Sequence, residues 1–388
     1  WVDGLICNIL SYCDVVNQRY TDALEVQRHM PCPESPLDNL FVSVYRAFII
    51  AQCHLGQGDL ENAWGHAENA LRQAERYTGP QSTSGATLAP LLAEMAYERK
   101  NLDSLNTLLA DRLEFIDRFG PPDALSRCYT YLARQALNDD MPHEAERLLE
   151  HAQRLAVSRG WQRPQALLLA EQARVRLQRA NYPGAEQLQR QLEQLAARAT
   201  IDAENPCQRA IAQYAIVSRS RLLLASGQAP QASLLLGELV TEQERRGDRL
   251  SAARLRTLWS LSLWNSGENA AAVAALQPAQ QLAAQQHLKR IFLDAGETLQ
   301  PLLVRVRETS AASEGDALWP GKGSQSEGKR IQRENLDVNL DLSEREQQIL
   351  QLIADGQMNK EIARSLTIST ETVKWHIKNI YAKLKVSS

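Results

Sequence analysis

From Trp1 to about Val306 apolar residues recur at helical spacing within segments rich in Ala, Leu, Gln, Glu and Arg. That is the pattern of amphipathic helices, each burying one face. Turn residues interrupt it at regular intervals. The turn and helix start NQRYTDA ends at Ala23, QGDLENA at Ala63, RKNLDSL at Leu105, DDMPHEA at Ala145, RANYPGA at Ala185, SGQAPQA at Ala232 and SGENAAA at Ala272, with gaps of 40, 42, 40, 40, 47 and 40 residues. A repeat near forty residues, with one helix before each turn and one after, predicts a solenoid of helical hairpins. A lone hairpin cannot bury its apolar face, so successive hairpins must stack and share a core. Gly58, Gly227 and Gly267 suit the tight turns, and the recurring Ala suits the place where the second helix crosses its partner. An irregular helical bundle also accommodates hairpins of this length, but it supplies no reason for constant spacing. The apolar stretch from Phe41 to Leu55 is cut by Arg46 and reads as a buried helix, not a membrane span.

The pattern collapses between Arg307 and about Asn335, where large apolar residues give way to Ser, Gly and charge. This stretch, 307–335, reads as a flexible linker between a repeat domain, 1–306, and a small terminal domain, 336–388. Gly321-Lys322 within it is no phosphate loop. Gly315 stands one residue too far away for the required spacing, Gly323 replaces the magnesium-binding Ser or Thr, and no apolar strand precedes it.

Helical period returns in Leu340–Ser388, now in three short pieces. Ser343 and Glu346 form a capping box for a first helix that ends at Gly356 and buries Ile349, Leu350 and Ile353. Asn359 caps a second helix with Ile362, Ala363 and Leu366 inward. After the turn Thr367-Ile368-Ser369, a third helix carries Val373, Ile377, Ile380 and Leu384 on its buried face. Two short helices, a tight turn and a longer helix describe a helix-turn-helix.

Charge sharpens that reading. From Asn359 onward there are six Lys or Arg against two acids in a chain of net charge −3, so everything upstream carries −7. Positive charge is therefore concentrated where phosphates would be met. On the third helix Lys374, Trp375 and Lys378 fall away from the apolar face, toward base edges in a major groove. For Trp375 packing under a neighbouring helix is the alternative, and His376 sits nearer the core side. Lys360, Thr370, Thr372 and Lys383 are candidates for phosphate contact, which positions a domain without reading sequence.

The residues Leu342-Ser343-Glu344-Arg345-Glu346, Gly356, Asn359-Lys360-Glu361-Ile362-Ala363, Ile368-Ser369, Thr372-Val373-Lys374, His376, Asn379-Ile380 and Lys383-Leu384 occur in an order that resembles the DNA-binding domain of LuxR-type transcription regulators. QGDLENA resembles the turn of a tetratricopeptide repeat (TPR). In domain order the chain resembles the C-terminal half of the large ATP-dependent, MalT-like activators of the LuxR family. The resemblance implies an all-α fold, a TPR-like solenoid followed by a LuxR-type helix-turn-helix. It implies double-stranded DNA as a partner, a small-molecule effector or regulatory protein on the repeats, and self-association. It also implies an ATP-binding module ahead of the repeats and no cofactor in this chain. A start at Trp1, without Met, agrees with a piece of a longer protein.

Composition narrows the remaining classes. Hydrophobic residues at 44% and charged residues at 23% suit a soluble globular protein, and the cysteine usage suits the cytoplasm. Cys7, Cys13, Cys32, Cys53, Cys128 and Cys207 are irregularly spaced without a CxxC pair and read as reduced thiols. The histidines form no metal pattern, and no nucleophile elbow or glycine-rich cofactor loop supports an enzyme. Trp64, Trp161, Trp259 and Trp264 could line a ligand groove, although filling between helices is the commoner role of such residues. The competing reading is a TPR-type adaptor that binds proteins and not DNA.

Overall fold

The computed structural model describes residues 2–29, 39–198 and 205–310, together with Gln348, Ile349, Gln351, Leu352, Ile362, Ala363, Leu366 and Val373. The chain divides into two compact units, Trp1–Leu318 and Trp319–Ser388. Among the described residues the regular structure is helical throughout. No described helix is long and apolar enough to cross a membrane.

The first unit is built from hairpins: α1 (Val2–Val16) with α2 (Tyr20–Arg28), α3 (Leu40–Gly56) with α4 (Leu60–Thr78), and α5 (Thr83–Glu98) with the pair α6 (Leu102–Leu109) and α7 (Leu113–Phe119). Then follow α8 (Pro122–Asn138) with α9 (Pro142–Ser158), α10 (Gln162–Gln178) with α11 (Tyr182–Arg198), α12 (Pro206–Ala225) with α13 (Ala229–Arg246), and α14 (Arg249–Asn265) with α15 (Asn269–Gln286). A short α16 (Arg290–Leu293) and α17 (Gln300–Ser310) close the unit. Helix α17 thus continues through 307–310, the start of the stretch read as linker. The rest of that stretch lies outside the described residues.

One backbone motif explains the period. Every hairpin turn is closed by an N–H that donates to the carbonyl five residues back: Arg19 to Asp14, Asp59 to His54, Asn101 to Ala96, Met141 to Ala136, Asn181 to Arg176, Gln228 to Leu223 and Glu268 to Leu263, at 2.8–3.0 Å. This bond belongs to the Schellman closure of a helix, and it requires a left-handed residue just before the donor. Gly58, Gly227 and Gly267 supply that residue at φ of 79°, 75° and 83°, as the turn chemistry predicts. Gln18, Lys100, Asp140 and Ala180 occupy the same place in the other turns at φ of 62°, 61°, 55° and 54°. A side chain there clashes with the following carbonyl, which glycine avoids. Ala180→Gly is accordingly expected to stabilise the fold by about 0.5–1 kcal/mol, the relief of left-handed strain less the added freedom of the unfolded chain. Chemical denaturation of the two proteins side by side measures it, and a loss of stability would refute it.

Five residues beyond each left-handed position lie Ala23, Ala63, Leu105, Ala145, Ala185, Ala232 and Ala272, all at 0% exposure. The recurring alanine is therefore the crossing point of the two helices. In the third hairpin Leu105 fills it, and there the second arm is broken into α6 and α7.

Winding brings the ends of the unit together. The Tyr20 hydroxyl donates to Asp248 Oδ2 at 3.0 Å, and Gln18 Nε2 donates to Gln243 Oε1 at 2.7 Å. Leu60 N–H donates to Gln286 Oε1 at 2.9 Å, and Lys289 N–H donates to the Glu98 carbonyl at 2.8 Å. Helix α14 packs on α3, and α16 on α5. Gly58 is needed twice over: its turn requires positive φ, and a Cβ there would stand 2.9 Å from Leu282 Cδ1.

Candidate functional site

In the C-terminal unit, Ile349, Ile362 and Val373 are fully buried and Ala363 is 6% exposed. These are inward positions of the three helices that the sequence predicts, one or two from each. The Leu366 N–H donates to the Ile362 carbonyl at 3.0 Å, a helical bond, and Leu366 is half-buried. The candidate base-contacting residues Lys374, Trp375 and Lys378 lie outside the described residues. So do the phosphate candidates Lys360, Thr370, Thr372 and Lys383, and the core positions Leu350, Ile353, Ile377, Ile380 and Leu384.

The repeat unit holds a cavity of about 380 Å³, and the first helix of each of the seven described hairpins contributes to its wall. That wall is polar in an unexpected way, because it is built of buried arginines and carboxylates. Glu94 on α5, 6% exposed, receives Arg127 Nε at 2.6 Å, Arg254 Nη2 at 2.9 Å and the Tyr131 hydroxyl at 2.8 Å. Arg254 also reaches Glu98 at 2.7 Å, so α14 is tied to α5 by two carboxylates. Glu171 on α10 receives Arg134 through Nη2 and Nε at 2.5 and 3.1 Å, and Arg174 Nε at 2.9 Å. Arg163 faces Asp123 at 3.6 Å.

Burial by itself would raise the carboxyl of Glu94, but Arg127 and then Arg254 outweigh it and hold the group down at about 2. Glu171 is likewise lowered, with Arg134 and Arg174 overcoming its desolvation. Glu98 and Asp248 are raised, since for them burial dominates over the bonds they accept. A carboxylate held below its unfolded value stabilises the fold above that value and loses the contribution as pH falls toward the folded one. The melting temperature of the repeat unit is expected to drop steeply between pH 4.5, the unperturbed value of Glu94, and pH 2. The protonation of Glu98 and Asp248 works against that drop at its upper end. A thermal melt series across this range that stays flat would contradict the assignment.

The tryptophans singled out from sequence do not line this cavity. Trp64 and Trp161 are half-buried against the central hydrophobic core, and Arg159 lies 4.8 Å above the Trp161 ring. Trp259 lies under Arg256 and beside Gly237, where a Cβ would meet its indole nitrogen at 3.3 Å. Filling between helices is thus the role of at least these three. Sequence reasoning missed the charged wall, although one signal was present: Glu94 and Glu171 sit inside the apolar runs LAPLLAEMAY and ALLLAEQA, where a solvated acid has no place. Cys53 and Cys128 are buried free thiols, and burial pushes Cys53 up to about 12.

Residues 17–309 match the family model of the MalT-like TPR region, and residues 340–388 match that of bacterial regulatory proteins of the luxR family. The transcriptional regulatory protein LiaR of Bacillus subtilis (strain 168) is 45% identical over 82 residues, 20% of this chain and 37% of its own. The nitrate/nitrite response regulator protein NarL of Escherichia coli (strain K12) is 40% identical over 89 residues, 22% of this chain and 40% of its own. The chain spans less than half the length of these curated relatives. The crystal structure of a Rap protein complexed with competence and sporulation factor superposes with a TM-score of 0.48 at 10% identity, covering 80% of this chain and 91% of that one.

Proposed function

The chain belongs to the family of MalT-like TPR regions and ends in a luxR-family helix-turn-helix, and from that premise we propose that it is a sequence-specific DNA-binding transcription regulator whose helical repeats sense an effector or a partner. The observation that carries the DNA-binding part is the burial of Ile349, Ile362, Ala363 and Val373, which supplies the tri-helical core such a domain needs. A helix that turns Val373 inward presents its next residues elsewhere, and Lys374, Trp375 and Lys378 are the ones we assign to base edges. Lys360, Thr370, Thr372 and Lys383 are assigned to phosphates. The cavity in the repeats supports the sensing part, because all seven described hairpins meet around it. No catalytic role is assigned, and the relatives are transcriptional regulators.

DNA fragments retained by the protein would be sequenced, and binding to the recovered site titrated with salt. Affinity is expected to fall linearly on a log–log plot as lysine contacts release counterions. Lys374→Ala should weaken the recovered site by about 1–3 kcal/mol and relax its sequence, whereas Lys383→Ala should weaken all sequences alike and lower the salt slope by about one. Binding that ignores salt and both substitutions would end the regulator reading.

A further inference from the structure

The charges around the repeat cavity do not cancel. Glu94 engages Arg127, Glu94 and Glu98 share Arg254, Asp123 faces Arg163, and Glu171 engages both Arg134 and Arg174. Arg221 on α12 also lines the cavity, yet among the described residues it makes no hydrogen bond and no ion pair. Arg221 is half-buried and lines the cavity wall. Burial, opposed by attraction to Glu171 and reinforced by repulsion from Arg174 and Arg134, pulls it down to about 10. Arg174 is 7% exposed and has Nη2 buried without a hydrogen-bond partner.

One carboxylate, Glu171, therefore stands among three guanidiniums. The nearby Asp294 lies 3.7 Å from Arg134 and already accepts from the Tyr97 hydroxyl at 2.8 Å, so it offsets one charge at most. A second hollow of about 260 Å³ shares Arg134 with the main cavity and is lined by Arg174, Asn138 and Asp294. A half-buried guanidinium with no hydrogen-bonded carboxylate costs a fold stability, and an apolar side chain at Arg221 would serve packing better. A guanidinium fork held ready in a hollow is instead the geometry that takes carboxylate or phosphate oxygens two at a time.

We propose that Arg221 and Arg134, which both line the repeat cavity, form the receptor for the anionic group, carboxylate or phosphate, of a small molecule that enters it, with Arg174 on the adjoining hollow adding to the positive field. The cavity, at about 380 Å³, has the capacity of ordinary small-ligand sites. Any effect of this ligand on transcription rests on the regulator reading above, whereas the site itself does not.

The test uses the whole chain at fixed ionic strength, with inorganic phosphate, citrate and the uncharged disaccharide trehalose as probes at equal millimolar concentration. Thermal unfolding and calorimetric titration are followed for the wild type, Arg221→Met and Arg221→Lys. Phosphate or citrate should raise the melting temperature, and trehalose should not. A shift with phosphate alone assigns a phosphate ligand, and a shift with citrate alone assigns a carboxylate. Arg221→Met should weaken anion binding by about tenfold or more, the loss of charge-assisted bonds, while its ligand-free melting temperature stays equal or rises. Arg221→Lys keeps the charge without the fork and should bind between the two. An anion effect that is absent, or equal in wild type and Arg221→Met, overturns the proposal. DNA affinity measured in parallel separates the two readings: anion binding that leaves DNA affinity unchanged keeps the site and removes its role as a sensor.

Discussion

Glu94→Leu is expected to lower the unfolding free energy of the repeat unit by about 3–5 kcal/mol, the usual cost of leaving a buried charge without its partner. Leucine is close in volume, so the loss is electrostatic and not a cavity. Arg127 would keep only Gln52 Oε1, at 3.2 Å, and the Tyr131 hydroxyl would lose its acceptor. Arg254 would keep Glu98, which is why the effect falls mainly on Arg127. Adding Arg127→Met should restore part of the stability, because removing both members of a buried pair costs less than removing one. Urea unfolding of the three proteins measures this. A loss below about 1 kcal/mol for Glu94→Leu would mean that water solvates the wall and that the pair behaves as a surface bridge.

Ala145→Leu is expected to destabilise by about 2–3 kcal/mol, through overpacking at a helix crossing. The buried face of α9 reads Ala145, Leu149, Ala152 and Ala156, all at 0% exposure, so three of its four contacts are made by methyl groups at close approach. A branched side chain at the first of them must push α9 from α8. The equivalent place in the third hairpin holds Leu105, and Leu105→Ala should destabilise by about 2–5 kcal/mol for the opposite reason, a cavity. The two substitutions are each conservative in polarity and restore the other hairpin's residue. If either is neutral by denaturant midpoint, the shared register of the hairpins is wrong.

The candidate DNA site was legible only up to its core. Ile349, Ile362, Ala363 and Val373 could be placed from helical period alone, since a buried stripe repeats every three or four residues and the caps phase it. The charged cavity was not legible in the same way. The arginines look like a solvated face in any single helix, and although Glu94 and Glu171 stand out within their apolar runs, only the arrival of partners from other hairpins shows what they pair with. The left-handed turns at Gln18, Lys100, Asp140 and Ala180 were hidden for a related reason, because stacking forces of the whole hairpin override the local preference for glycine.

Sequence by itself determined the repeating hairpin, its crossing alanine and the apolar faces, because each depends on residues within one period and on local backbone rules. Tertiary structure alone decided that Tyr20 meets Asp248 and that Glu94 meets Arg254, contacts separated by 228 and 160 residues. Small rotations between neighbouring hairpins add up along the solenoid, so whether its ends meet, and what cavity they enclose, depends on a sum that no single repeat contains.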